Sequence, residues 1–217
     1  MDGAAGGYGV RGGCMNSIDN AHWLTRAAKR GAAEQLLRLR AVHGDDPCTR
    51  EQTAAHEAGH AIIAMAFGWR FLGAHIRSKD RAWIGSVNYE HRLTGRPHKL
   101  DDTADILFAE AVMDLGGVAG EQAAGLYHPT SSYFEIKNAA ARCDALDAFT
   151  DAAPSSHFAR ALALAMTEIQ ANAATFELLR AHFRRSKRLT PGEGRRMLKN
   201  VAPRLAGMQF VKRKSPH

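Results

Sequence analysis

The sequence predicts a mainly α-helical domain carrying a small antiparallel β-pair. Three observations lead there. Alanine is abundant and aromatics make up only 7% of the chain, a composition that favours helix. Two segments open on capping-box patterns, Thr49 with Gln52 and Thr190 with Glu193, which are helix starts. Two neighbouring stretches, "WRFLGAHI" and "AWIGSVNYE", have β character and are joined by the polar "RSKDR", which suits a turn. The 217 residues, 45% of them hydrophobic, suffice for one domain with flanking tails.

Taken in order, residues 1–16 are glycine-rich and expected to be flexible. Residues 18–43 read as a helix with Leu36, Leu37, Leu39 and Val42 as its apolar part, and "HGDDP" ends it. The helix opened by Thr49 runs to Phe67, with Gly68 as its stop. Its second half is apolar on nearly all sides and should be buried. After the β-pair and the loop "LTGRPHK", a helix runs from Asp101 or Asp102 to about Leu126. Gly116 and Gly117 inside it cost about 2 kcal/mol together relative to alanine, which points to a close approach to another helix, the one carrying His56. "HPTSS" is a loop ending in serine N-cap candidates before a helix over about 132–150. One long helix then follows from Ser155-Ser156 to about Arg185, with Phe158, Leu162, Ala165, Ile169, Phe176, Leu179 and Phe183 as a heptad-spaced apolar stripe, Asn172 in register, read as internal packing with a subunit interface as the alternative. A short helix near 191–200 and a basic tail over 201–217 complete the chain.

Composition excludes several classes. The longest apolar run, "AIIAMAFGW", is far below the roughly 20 residues of a membrane helix, and no signal peptide is recognisable. A soluble, cytoplasmic protein is expected. Cys14, Cys48 and Cys143 are odd in number and widely spaced, which argues for reduced thiols and against a thiolate metal site. Gly7, Gly9 and Gly12 match GxGxxG formally, but no strand precedes them. No GxxxxGK[ST] loop occurs, so no nucleotide-hydrolysing motor is encoded. The net charge of +7 is concentrated between Arg180 and Lys214. It reads as a solvated helix face and tail, and no groove-reading motif argues for nucleic acid.

The chemistry lies in "TAAHEAGHAIIA". Residues four apart on a helix are separated by about 40° and 6 Å, so His56 and His60 project side by side and can bind one metal ion. Glu57 sits about 100° round, placed to reach a metal-bound water rather than to ligate. That is the arrangement of a hydrolytic zinc site with a general base. Bare imidazoles on a buried helix are a liability unless something binds them. A catalytic zinc needs a third protein ligand, and Asp114, Glu121, Glu135 and Asp144 are the carboxylates available on other helices. Glu135, just after a loop, is modestly favoured over Glu121, which could instead orient a histidine from outside.

Three segments carry a resemblance. "TAAHEAGHAIIA", "MDLGGVAGEQAAG" (residues 113–125) and "TSSYFEIKNAAARC" are similar in order and spacing to the peptidase domain of FtsH, the membrane-anchored AAA+ zinc protease, over residues 50–200. The resemblance implies that His56 and His60 are zinc ligands, that Glu57 is the catalytic base, and that Glu135 falls on the third ligand position, where the family has aspartate. Val118 stands where the family has arginine. "GSVNYEH" resembles the strand beside that family's cleft, where a substrate could add as an extended strand. The family joins this domain to an ATPase ring and membrane helices; this chain is expected to lack both.

The sequence therefore reads as a zinc metallopeptidase-like domain over 48–200, preceded by the glycine-rich tail (1–16) and a helical segment (17–47) and followed by the basic tail (201–217). The expected activity is hydrolysis of unfolded or flexible polypeptide through a zinc-bound water, either independently of ATP or with a separate ATPase or adaptor. Assembly into a homo-oligomer is left open. His75, His91, His98, His128 and Tyr133 are candidates for stabilising an oxyanion. Two rival readings are an inactive zinc-stabilised interaction module and a basic nucleic-acid-binding protein.

Overall fold

A computed structural model describes residues 26–44, 46–90 and 100–206. The described chain is mainly helical with one small antiparallel sheet. Helix α1 spans Arg26–His43 and α2 Arg50–Ala66; strands β1 (Arg70–Lys79) and β2 (Ala82–Glu90) follow. Then come α3 (Leu100–Ala123), α4 (Tyr133–Thr150), α5 (Ser156–Ala171), α6 (Ala173–Arg185), β3 (Arg188–Leu189) and α7 (Pro191–Met197). The expected 1–16 segment, the first part of the 18–43 helix, the "LTGRPHK" loop, His91, His98 and residues 207–217 lie outside the described residues.

Helix α2 is the axis of the molecule. The Thr49 hydroxyl accepts from the Gln52 backbone N–H at 3.1 Å, as the capping pattern requires. The box is only half built, because the Gln52 side chain turns inward towards Glu121. Gly68, at φ 70°, ends the helix in the left-handed conformation that glycine adopts without strain. Almost every residue from Gln52 to Ala66 is buried.

The sheet packs along α2. β1 and β2 pair from Arg70↔Glu90 to Lys79↔Ala82. Asp80 (φ 50°) and Arg81 (φ 68°) make a two-residue turn, whose positive φ values match the right-handed twist of the strands. The sheet gains a third strand that the sequence reading did not contain. β3 pairs with the far edge of β1 through Ala74↔Leu189 and His75↔Arg188, giving the order β2-β1-β3. Two residues carry no alternation, so nothing in the local pattern announces them.

Helix α3 crosses α2 at backbone contact. A Cβ built on Gly59 would overlap the Gly116 carbonyl oxygen and lie 3.2 Å from the Gly120 Cα. The glycines of α3 therefore do what their helix propensity alone disfavours: they let two buried helices touch. The apolar stripe read over 158–183 is internal, with Ala165, Ile169, Phe176, Leu179 and Phe183 in the core. It belongs to two helices, however, not to one long helix. Asn172 donates its side-chain amide to the Glu168 carbonyl at 2.8 Å, and its backbone N–H falls back to Ile169 O at 3.1 Å. A side chain that takes a helical carbonyl in this way breaks the regular ladder. At the other end, α7 stops three residues short of the expected 200, and the basic tail does not begin at 201. Val201 and Leu205 are buried, and the Leu205 N–H bonds to Ala66 O at 2.8 Å, satisfying a carbonyl of the last turn of α2.

No helix among the described residues is long and apolar enough to cross a membrane. Cys48 and Cys143 are not bridged in a disulfide; Cys14 lies outside the described residues.

Candidate metal centre

His56 and His60 leave α2 on the face that meets α3, one turn apart, with their rings edge-on at 4.7 Å. Glu135 reaches them from the first turn of α4. The three ligand-type atoms converge: His56 Nε2 to Glu135 Oε1 is 3.0 Å, His60 Nε2 to His56 Nε2 is 3.0 Å, and His60 Nε2 to Glu135 Oε1 is 3.3 Å. This group could hold a metal ion.

The outer partners decide what the rings present. The Nδ1 of His60 lies 2.9 Å from the Met113 carbonyl oxygen, which can only accept. The Nδ1 of His56 lies 2.7 Å from Glu121 Oε1. Both rings therefore donate from Nδ1, and in the neutral state both offer an Nε2 lone pair to the centre. Two lone pairs and a carboxylate oxygen then face one another with no donor among them. Such a triangle is repulsive unless a cation or an added proton lies within it. Ligand atoms about 2.0–2.1 Å from a tetrahedral zinc ion are about 3.3 Å apart, and the observed triangle is within a few tenths of an ångström of that, so the donor set fits.

Electrostatics agree. Burial opposes a charge on His56, yet Glu135 and Glu121 raise its pKa well above the ordinary value. Burial would raise the Glu135 carboxyl, but His56 and His60 pull it down to about 2. Both carboxylates thus favour positive charge at the centre.

Glu57 is fully buried, and both of its carboxylate oxygens lack a hydrogen-bond donor from the protein among the described residues. Burial, followed by a smaller opposing effect of His56, raises its pKa well above the ordinary carboxylate value. β2 covers it: a Cβ on Gly85 would come to 2.6 Å from the Glu57 Cδ. The outward backbone groups of Trp83 are taken by Cys48 O (2.8 Å) and the Thr53 hydroxyl (3.2 Å), so this edge of β2 is closed where the strand begins. On the opposite side, a Cβ on Gly117 would lie 2.6 Å from His56 Nδ1 and closer still to Cε1 and Nε2. Only glycine at 117 leaves room for the ring.

The sequence-selected residues sort cleanly. His56, His60 and Glu135 come together, and Glu57 stands beside them. Glu121 is an outer partner of His56 and not a member of the converging group. Asp114 is not a member either. It is ion-paired to Arg142, and burial pushes its carboxyl up to about 8 despite that partner. Asp144 is exposed. Of the oxyanion candidates, the Tyr133 hydroxyl donates to Gln35 at 2.8 Å. His75 is bonded to Ser86, and His128 to Thr130 and the His43 carbonyl. Sequence reasoning missed Ser131 and Ser132, whose hydroxyls donate to the two oxygens of Glu121 at 2.9 Å each. Their place in an N-cap loop was legible. Ser132 does take the N-cap position of α4 but makes no side-chain cap bond. Compared with known proteins, the chain matches no family model, and no curated protein is significantly similar to it in sequence.

Proposed function

We propose that the chain is a zinc-dependent endopeptidase that hydrolyses peptide bonds of unfolded or flexible polypeptide segments. The observation that carries this reading is the pairing of a cation-demanding triangle with a buried, donor-less carboxylate beside it. His56, His60 and Glu135 would hold the zinc ion, which when bound supplies a Lewis acid for the scissile carbonyl and lowers the pKa of water. Glu121 and the Met113 carbonyl hold the two imidazoles in the ligating tautomer. Glu57 accepts the proton of the attacking water at its vacant oxygens and holds it in a site where burial favours the protonated form. It then returns the proton to the leaving amine. A structural metal site has no use for such a base. The HEAGHA motif and the two later segments, similar to the FtsH peptidase domain, support the same reading. The chain would act alone or with a separate ATPase or adaptor.

A second reading is favoured by one observation: His56, Glu57, His60 and Glu121 are each at most 3% exposed, and the Glu135 side chain is 12% exposed. Metal sites closed to this degree resemble structural ones, which fits a zinc-stabilised interaction module. The separating experiment is cleavage of casein without ATP by zinc-reconstituted wild type and Glu57→Gln. The peptidase reading expects cleavage by wild type, loss of at least two orders of magnitude in the variant, and equal zinc content. Equal zinc content with no cleavage by either protein favours the module.

A further inference from the structure

Ser132 is 1% exposed and stands at the N-cap position of α4, three residues before Glu135. A serine there ordinarily turns its hydroxyl onto the free N–H groups of its own helix. This one does not: the hydroxyl donates instead to Glu121 Oε1 at 2.9 Å, and no cap bond is made. The same oxygen takes the Nδ1–H of His56 at 2.7 Å. One carboxylate oxygen thus joins a ligand on α2 to the residue that starts the helix carrying the ligand Glu135. Ser131 adds a weaker tie. Its single hydroxyl hydrogen is divided between Glu121 Oε2 (2.9 Å) and the His128 carbonyl (2.7 Å). Gln52 reaches Oε2 only at 3.5 Å.

We infer that Ser132 is a positioning residue for the metal centre, acting through Glu121 to fix the N-terminus of α4, and with it Glu135, relative to His56. This rests on the zinc reading above. Glu135 has one more methylene than an aspartate, and therefore one more rotatable bond between backbone and carboxylate. Its oxygen is set at 3.0 Å from His56 only if the start of α4 is pinned. The Glu121 latch pins it, at the expense of the ordinary cap.

The test is zinc affinity by chelator competition, on the whole chain, for wild type, Ser132→Ala, Glu121→Gln and the double variant. Loss of such an outer partner lowers metal affinity by about 10- to 100-fold. Ser132→Ala is expected near the lower end and Glu121→Gln near the upper. The double variant should bind no more weakly than Glu121→Gln alone. The far-UV circular dichroism of metal-free Ser132→Ala should match wild type, because the hydroxyl does not cap the helix. Should Ser132→Ala fail to fold, Ser132→Cys, which keeps the volume and loses the strong donor, replaces it. Equal zinc affinity of wild type and Ser132→Ala would overturn the inference, as would additive losses in the double variant. A wild type that binds no zinc would instead overturn the metal reading on which it rests.

Discussion

Gly117→Ala is the sharpest available perturbation of the site. A methyl at 117 would lie 2.6 Å from His56 Nδ1 and nearer still to two other ring atoms. Ordinary contact begins near 3.4 Å, so the ring must retreat by roughly 0.8 Å or more, against the ±0.2 Å that metal–ligand distances tolerate. The ring is fully buried and held at 2.7 Å by Glu121, so it cannot retreat without leaving Glu135 and His60. Fold stability should fall, but far less than zinc affinity. Alanine gains about 1 kcal/mol in helix propensity, while overpacking costs about 1–3 kcal/mol, leaving a net loss of about 0–2 kcal/mol. Zinc affinity should report it strongly, falling at least 100-fold, the upper end for lost outer partners, because here a ligand itself is displaced. Chelator competition with circular dichroism on the same samples reads both quantities. Gly192→Ala, with open space around the added methyl, is the control. A folded Gly117→Ala protein whose zinc affinity stays within about threefold of wild type would refute the geometry, and with it the assignment of His56 as a ligand.

Other consequences follow from the same contacts. Zinc affinity should fall as pH drops through the raised pKa of His56, by up to about tenfold per unit, since the ligating ring must be neutral; a titration downward from alkaline pH that shows no such fall would count against the site. In the metal-free protein the same raised value stabilises the fold. That contribution is complete below the unfolded-state value of 6.5 and is lost as pH rises through the folded one, so the thermal midpoint should decline on the alkaline side only when metal is absent. Gly59→Ala forces α2 from the Gly116 carbonyl and should destabilise by about 2 kcal/mol even after its propensity gain, measured by urea unfolding. Leu205→Ala should destabilise by about 2–3 kcal/mol, because Leu205 is 3% exposed in the core; an exposed tail would show almost no change.

The local signals were strong wherever one helix contained all the information. His56, Glu57 and His60 share one turn of α2, so helical geometry alone fixes their mutual placement. The Thr49 and Thr190 starts, the Gly68 stop and the hairpin turn are likewise local chemistry, and the Thr190–Glu193 box is complete in the structure. The glycines of α3 disclosed a close helix crossing because nothing else explains such poor helix formers in a buried helix. Asn172 shows the limit: its spacing fits the apolar stripe, but one side-chain bond to Glu168 decides that the helix breaks there.

What the sequence by itself determined, then, is the helical character of the chain and three residues of the site with their spacing. Tertiary structure alone decided the rest, because it depends on atoms distant in sequence. The sequence favoured Glu135 over Glu121 only modestly; that Glu135 joins the two histidines while Glu121 stands behind His56 rests on how α4 and α3 approach α2 across 79 and 65 residues. β3 exists because β1 offers an edge to it, and Val201 and Leu205 belong to the core because the end of α2 leaves a carbonyl for the Leu205 N–H. The Ser132 hydroxyl is legible as a cap from its neighbours. It becomes a tie between two residues of the candidate metal centre only because a carboxylate from another helix lies nearer to it than the N–H groups of its own.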